Sequence, residues 1–310
     1  MYGGWDVVSL LLERGADVTL RNEKNVGPLT HSCLSGNTDS VSKILSNSGS
    51  ESCFTEEGKV YSSTLDQNLI LSPLKASVIS GEIDVIKLLL NRNYKEKQTQ
   101  ALSQPQDYKF MDLQQITLQD LCCYLSLPKV YSALPANSNN IDFSFKYAVN
   151  NVHDHDDVKC LEMLKLLLSK SEENNKNIQI FKVVEKSNGL HDLARFGMVQ
   201  SLDFVLSLLP KGCAIDHLCT SKSWTPLMHF LTCKKFKPFH HPIIFDAVKK
   251  FKGLGSKFCF EDKHNRSLTT LTKRNAKNLG KDVVEFVDNE AAISNEGEGE
   301  SEIRLPGAVC

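Results

Sequence analysis

The sequence predicts an all-α protein in which antiparallel helix pairs stack side by side into a solenoid. The segment 3–18 returns in blurred form at 81–90, and equivalent glycines recur, with Gly36 lying 33 residues after Gly3. In both segments the apolar residues follow the spacing of one helix face. A repeat of this length is typical of units that bury their apolar faces only by stacking on neighbouring copies.

Composition narrows the class of protein. The chain has 310 residues, of which 41% are hydrophobic and 24% are charged, as in ordinary folded domains. No apolar run reaches the roughly 18 residues of a membrane span, and the first six residues do not resemble a signal peptide. The ten cysteines follow no disulfide framework. We therefore expect reduced thiols in an intracellular protein, either cytoplasmic or nuclear.

Helix start and stop signals recur at the same spacing in the clearer copies. The first copy predicts a helix that ends at Gly15, since glycine adopts the left-handed conformation that terminates helices. The next copy opens at Pro28, where the first helical turn tolerates proline, and Gly36 ends its short helix eight residues later. Pro73 and Gly81 repeat that distance. Each copy therefore predicts a short helix followed by a second one.

These strings resemble the ankyrin repeat. The family pattern has Thr-Pro-Leu-His-x-Ala, a glycine, and then Val-Val-x-Leu-Leu-Leu-x-x-Gly-Ala-Asp with a period of 33 residues. This chain carries Gly15-Ala16-Asp17-Val18 at that period. The resemblance implies about seven copies over residues 1–290, three clear and four eroded, forming a non-catalytic scaffold or recognition module for protein–protein interaction. It implies no cofactor.

Four eroded copies are predicted to open near 143, 189, 224 and 262. In one of them His191 occupies the histidine position of the family pattern. The resemblance implies that this residue makes hydrogen bonds between repeats, and general acid–base catalysis is the lesser alternative.

Three stretches interrupt the period, at 47–68, 98–140 and 170–177. We expect the first to be a loop rich in serine, glycine and glutamate, and the third to be a short polar one. The long insertion 98–140 contains a capping-box pattern from Thr117 to Asp120 that predicts a helix. This helix either packs on the solenoid or binds a partner.

The two ends of the chain differ from a regular repeat. The acidic segment 291–310 is expected to be disordered. The chain opens with an apolar outer helix where a polar capping repeat is the rule. We therefore expect a piece of a larger protein.

The ankyrin resemblance assigns partner binding to loop tips and short inner helices. By position, the first tip contributes four residues, the inner helix of the second copy contributes three, and a later tip contributes three more. The later tip includes a tryptophan, a residue type that is frequent among binding anchors. Packing between copies is the alternative for that tryptophan. The candidate partner-binding residues are Leu20, Arg21, Glu23, Lys24, His31, Leu34, Ser35, His217, Lys222 and Trp224.

Charge is distributed unevenly along the second half. From Lys234 to Lys281 there are 13 basic and 3 acidic residues, and 282–302 contains 8 acidic and no basic residues. Lysine neutralises phosphate, so the alternative function is binding of nucleic acid or anionic lipid through 234–281. The candidate contacts for an anionic partner are Lys234, Lys235, Lys249 and Lys250. A solvated helix face is the plainer interpretation, and the acidic stretch could screen these charges.

Motifs for other chemistry are weak. The histidines and cysteines between 213 and 233 do not match the paired spacing of a zinc site. Gly280-Lys281-Asp282 lacks the residues of a phosphate-binding loop, since Asn275 and Asp282 stand where glycine and Ser or Thr are needed. We therefore expect neither metal nor catalytic residues, and a protein that is not an enzyme.

Overall fold

A computed structural model describes most of the chain, in two compact units that span residues 1–140 and 141–310. The described residues are 5–47, 50–55, 57–62, 67–91, 106–108, 113–134, 141–149, 156–173, 188–213, 215–219 and 223–297.

The first unit contains helices with two short hairpins between them. Its helices are α1 (Trp5–Glu13), α2 (Pro28–Leu34), α3 (Thr38–Ser46), α4 (Pro73–Ser80), α5 (Ile83–Asn91), α6 (Leu118–Tyr124) and α7 (Pro128–Ala133). A 3-10 helix (Ser50–Thr55) precedes the antiparallel strands β1 (Gly58–Ser62) and β2 (Gln67–Leu71), and β3 (Gln106–Tyr108) pairs with β4 (Leu113–Ile116).

The helices of the first unit form two layers. In the first layer α2 packs on α4 and α4 on α6, and in the second α1, α3, α5 and α7 pack in sequence. Local signals set the ends of the short helices. Ser72 caps α4 by accepting a hydrogen bond from the backbone of Lys75, and Gly81 ends the helix with a positive φ of 77°. The predicted helix-pair repeat is therefore present in this unit.

The second unit follows the same plan with other lengths. Its helices are α8 (Ile141–Val149), α9 (Asp157–Glu173), α10 (Gly189–Phe196), α11 (Val199–Leu208), α12 (Pro226–Thr232), α13 (His241–Gly253), α14 (Leu268–Arg274), α15 (Ala276–Leu279) and α16 (Lys281–Gly297), with a 3-10 turn at Pro238–His240. The short helices α8, α10, α12 and α14 form one layer, and α9, α11, α13 and α16 form the other.

Two insertions differ from the sequence prediction. Within 98–140 the structure has two helices, α6 and α7, where the sequence predicted one, and they pack on α4 and α5 as a further helix pair. The predicted capping box is confirmed, since Thr117 and Asp120 each accept a hydrogen bond from the other's backbone N–H. Within 47–68 the expected loop instead contains a 3-10 helix and the first strand of a β-hairpin, in which Cys53, Phe54 and Val60 are buried.

The C-terminal segment also differs from expectation. Helix α16 extends to Gly297, so the first seven residues of the predicted disordered segment 291–310 are helical. Residues 298–310 lie outside the described part of the chain. The polar insertion 170–177 is helical as far as Glu173, and its remainder also lies outside that part. Of the helices that the structure describes, none combines the length and hydrophobicity that a bilayer crossing requires.

Polar side chains join successive helix pairs in the second unit. The carboxylate of Asp157 accepts hydrogen bonds from the backbone N–H groups of Gln200 and Ser201, at 2.7 and 2.9 Å, at the start of α11. Asp216 likewise accepts a 2.7 Å hydrogen bond from the backbone of Lys257. A carboxylate is favourable at a helix N-terminus, so Asp157 helps to position α11, whereas Asp216 binds the loop that follows α13.

His191 makes the inter-repeat bond that the resemblance implied. Its Nε2 donates to the carbonyl oxygen of Trp224, 33 residues later, at 3.0 Å. The Nδ1 atom is buried and has no hydrogen-bond partner, so the neutral ring fits the site. Burial, with His217 nearby, lowers the pKa of His191 to about 4. Protonation would therefore oppose the burial of this ring, although the hydrogen bond to Trp224 by itself favours the protonated form.

We expect Leu121→Ala to lower the free energy of unfolding by about 2–5 kcal/mol, because truncating a buried leucine leaves a cavity. Leu121 is fully buried in α6, within the helix pair of the long insertion. Urea unfolding followed by circular dichroism measures the change. Lys129→Ala in α7 is the matched control, since Lys129 is exposed. Equal effects of the two substitutions would contradict a packed α6–α7 pair.

We expect a fall in pH to lower the free energy of unfolding more in the native chain than in a His191→Gln variant. The pKa of His191 is lowered to about 4 in the folded chain, whereas it is about 6.5 in the unfolded chain. The stability that the neutral ring contributes is therefore fully present above about pH 6.5 and is lost as the pH falls toward about 4. Burial raises the pKa of Asp192 to about 6, which has the opposite sign, but both chains contain that residue. Urea unfolding between pH 7.5 and 4.5 measures the difference. A constant difference would contradict the assignment.

Candidate interaction surface

The first loop tip is a tight turn between α1 and α2. The side-chain Oδ1 of Asn22 accepts hydrogen bonds from the backbone N–H groups of Lys24 and Val26, both at 3.0 Å. Asn25 has a positive φ of 61°, a conformation that asparagine tolerates better than most residues. The turn is therefore held by its own polar side chains, and the intervening residues project into solvent.

The structure brings the four candidates of the first tip together at the surface. Leu20 is 67% exposed, which is high for a large apolar side chain. Arg21, Glu23 and Lys24 are exposed, and the guanidinium of Arg21 donates to Asn25 Oδ1 at 3.3 Å. An exposed leucine is thus combined with charges of both signs.

The β1–β2 hairpin is attached to this tip. The backbone N–H of Lys59 donates to the carbonyl oxygen of Lys24 at 3.0 Å, and Asn25 Nδ2 donates to the carbonyl oxygen of Glu57 at 2.9 Å. A Cβ atom at Gly58 would lie 2.5 Å from the carbonyl oxygen of Asn25. The close approach therefore requires glycine, and the hairpin extends the tip as one surface.

The hairpin has one buried and one exposed face. Val60 and Leu69 are cross-strand partners on the buried face, and Lys59 pairs with Ile70 on the exposed face. Ile70 is 65% exposed and Tyr61 is 50% exposed. These residues were not predicted from the sequence, because residues 58–62, Gly-Lys-Val-Tyr-Ser, lack the strict alternation of apolar and polar residues that predicts a strand.

The inner helix α2 presents fewer groups than expected. His31 is exposed, whereas Leu34 and Ser35 are half-buried. The Ser35 hydroxyl donates to the carbonyl oxygen of Ser32 at 2.9 Å, within its own helix. Of the three candidates on this helix, His31 has the greatest exposure.

The prediction that Trp224 is a surface anchor is wrong, because its side chain is packed between repeats. Its side chain is only 9% exposed, and the indole Nε1 donates to the carboxylate of Asp262 at 3.2 Å. Arg266 binds the same carboxylate through its Nε at 2.8 Å. This hydrogen bond from the guanidinium, the largest cause, holds the pKa of Asp262 well below its usual value. The neighbouring candidate Lys222 lies outside the described residues.

His217 belongs to a histidine cluster rather than to an open surface. Both of its ring nitrogens are buried and lack a hydrogen-bond partner, and its ring meets that of His191 edge-on with the centroids 4.6 Å apart. Cys219 Sγ lies 3.4 Å from Nε2 of His229 in the same cluster. Within the described part of the chain, no three or more His, Cys, Asp or Glu residues could together hold a metal ion.

The four candidates for an anionic partner fall into two groups. Lys234 and Lys235 are exposed in the segment after α12. The ammonium of Lys250 instead forms an ion pair with Asp203 at 2.6 Å, and that of Lys249 lies 3.8 Å from Asp246. Acidic groups of the same unit thus already neutralise part of the basic segment.

Comparisons with known proteins give only distant similarities. No family model matches the sequence, and no curated protein matches it. Among solved structures, the chain is similar to the ankyrin repeat domain of Bcl-3, a member of the IkappaB protein family, with 17% identity, a TM-score of 0.45, and coverage of 86% of this chain and 100% of that one. It is also similar to the human ASB11 ankyrin repeat domain, with 14% identity, a TM-score of 0.35 and 92% of each chain covered. The repeat architecture itself follows from this chain's helix pairs and inter-repeat contacts.

Proposed function

We propose that this chain is a non-catalytic recognition module that binds another protein through the first tip and the attached hairpin. The observation that carries the proposal is the exposure of Leu20, Tyr61 and Ile70 in two segments joined by hydrogen bonds. Exposed apolar side chains with a polar rim are the usual composition of a protein-binding site. Arg21, Glu23, Lys24 and Lys59 supply that rim.

The repeat region proposed for this role spans residues 1–290. Helix pairs that stack present their tips in a row, and repeat proteins use such extended surfaces for binding. In this chain the hairpin lengthens one tip with rigid strand structure, which lowers the entropy lost on binding. His31 on α2 is the proposed contact from the adjoining inner helix.

An intracellular location, either cytoplasmic or nuclear, is part of the proposal. The nine cysteines within the described residues are not joined by disulfide bonds. Burial raises the pKa of Cys122, and it raises the pKa of Cys160 to about 12. Buried neutral thiols suit a reducing compartment.

Nucleic acid or anionic lipid binding through 234–281 is the alternative function. Ion pairs within the unit involve Lys249 and Lys250, which weakens the case for the whole segment. The protein-binding role therefore stands first.

We expect reversal of the tip charges to remove the partner. The variant carries Arg21→Glu, Glu23→Arg and Lys24→Glu. These substitutions reverse the charges of the polar rim and change the net charge of the chain by minus two. Quantitative affinity capture from cell lysate, followed by mass spectrometry, compares it with the native chain. We expect specific partners to fall by at least tenfold.

The matched control exchanges the exposed pair Asp84 and Lys87 on α5, whose ammonium and carboxylate groups lie 3.8 Å apart. It should retain the partners of the native chain. A second variant, Tyr61→Ala with Ile70→Ala, tests the hairpin face by itself. If both surface variants capture the same proteins in the same yield as the native chain, this surface is not the binding site.

A further inference from the structure

The ion pairs of the second unit divide its basic segment into neutralised and free cations. Five lysines and one arginine between 249 and 281 have acidic partners within the same unit. The pairs are Lys249–Asp246, Lys250–Asp203, Lys252–Glu290, Arg266–Asp262, Lys273–Asp288 and Lys281–Glu285. The acidic helix α16 thus neutralises part of the positive charge in cis.

Three of the cations that have no acidic partner among the described residues lie together in residues 234–240, which we call the lysine loop. Lys257, Arg274 and Lys277 are also exposed and lie elsewhere in the unit. Lys234, Lys235 and Lys237 are exposed, and within the described part of the chain no carboxylate lies within ion-pair distance of them. No acidic residue occurs between Lys234 and Phe245. Three like charges within four residues repel each other unless an anion is bound.

The lysine loop is held in place from below. Phe236 is buried, and its ring packs edge-on against that of Phe230 with the centroids 5.0 Å apart. The ammonium of Lys235 lies 5.4 Å from the ring centroid of Phe196, and the guanidinium of Arg195 lies at the same distance from that ring. Arg195 thus adds a cation beside the loop. The loop is therefore a fixed part of the surface.

Phe239 stands at the outer end of the lysine loop. It is 70% exposed, more than any other large apolar side chain in the described residues. Its ring contacts that of His240 with the centroids 4.0 Å apart, and His240 Nδ1 accepts a hydrogen bond from the backbone of Lys237 at 3.2 Å. The contact fixes the loop conformation and leaves most of the aromatic ring in water.

We propose that the lysine loop docks on the surface of an anionic membrane, with its lysines at the headgroups and Phe239 inserted at their level. The partner must offer both negative charge to three lysines and an apolar layer to one aromatic ring. Anionic bilayers offer both at their interface. Single-stranded nucleic acid offers phosphates, but its binding sites combine a basic groove with several stacking aromatics. The loop instead exposes one aromatic ring on a projecting turn.

The expected effects follow from the chemistry. Each lysine near an anionic surface strengthens binding by about fivefold, so reversing three should weaken it by at least a hundredfold. Removing the aromatic ring should weaken binding by at least tenfold. Attraction to the surface charge should also decline with salt, because screening shortens its range.

Vesicle co-sedimentation of the full chain tests the proposal. The probes are 100 nm vesicles of phosphatidylcholine with one quarter phosphatidylserine, and vesicles of phosphatidylcholine alone, in 0.1 M salt. The loop variants are Lys234→Glu with Lys235→Glu and Lys237→Glu, and separately Phe239→Ser. The charge-matched control is Lys257→Glu with Arg274→Glu and Lys277→Glu, three exposed positions of the same unit. Thermal melts confirm that each variant is folded.

We expect the native chain to sediment with the anionic vesicles and to bind the neutral ones at least tenfold more weakly. The charge-reversed loop variant should lose at least a hundredfold in binding and Phe239→Ser at least tenfold, whereas the control should lose at most fivefold. The tip variant of the first unit should bind vesicles as the native chain does, which separates this proposal from the proposed protein-binding function.

Three results would overturn the proposal: absence of binding to the anionic vesicles, equal loss in the control, and unchanged binding in both loop variants. A 20-nucleotide single-stranded DNA serves as a competing probe. If the loop variants lose affinity for that DNA while the native chain ignores the vesicles, the lysine loop is a nucleic-acid site and not a membrane site.

Discussion

Burial of the apolar stripe on each second-layer helix is the constraint on which the rest of the structure depends. Leu89 in α5 and Leu206 in α11 are almost wholly buried, although each helix is only nine or ten residues long. Helices of this length are marginal in isolation. They are stable here because the preceding and following pairs cover them. The stability of each helix pair thus depends on its neighbours. This dependence explains why the eroded copies keep the spacing of their apolar residues.

The irregular segments follow from the same constraint. The β1–β2 hairpin buries Val60 and Leu69 and exposes Tyr61 and Ile70, so the stretch that interrupts the period has its own apolar face. Its attachment to the first tip converts a short turn into a broader surface. An insertion that is anchored by backbone hydrogen bonds and by Gly58 is a rigid extension of the repeat, and rigid extensions are well suited to recognition.

Charge is organised across helices of the second unit. Lys250 on α13 pairs with Asp203 on α11, and Lys252 on the same helix pairs with Glu290 on α16. These pairs link successive second-layer helices and neutralise the basic segment. The lysine loop lies outside this arrangement. Lysines in ion pairs therefore contribute to the structure of the unit, whereas the exposed lysines of the lysine loop are available to bind an anionic partner.

Sequence by itself determined the class of fold and the local limits of its helices. Proline and serine at helix starts, glycine at helix ends and the capping box at Thr117 act within a few residues, so they are readable before the chain folds. The inter-repeat role of His191 was also predictable, because the repeat period places its acceptor one copy away. The same locality explains why the exposed tip residues Leu20 and Arg21 were identified correctly as surface residues.

Tertiary structure decided which side chains remain available. Trp224 is 38 residues from Asp262, and Lys250 is 47 residues from Asp203, and in both cases folding joins a candidate surface residue to an internal partner. Helix α7 and the hairpin were missed because the burial of their apolar faces depends on packing against α5 and the first tip. The periodicity of apolar residues in the sequence predicts that one face of a helix or strand is buried. Which neighbour buries it depends on contacts between residues that are distant along the chain.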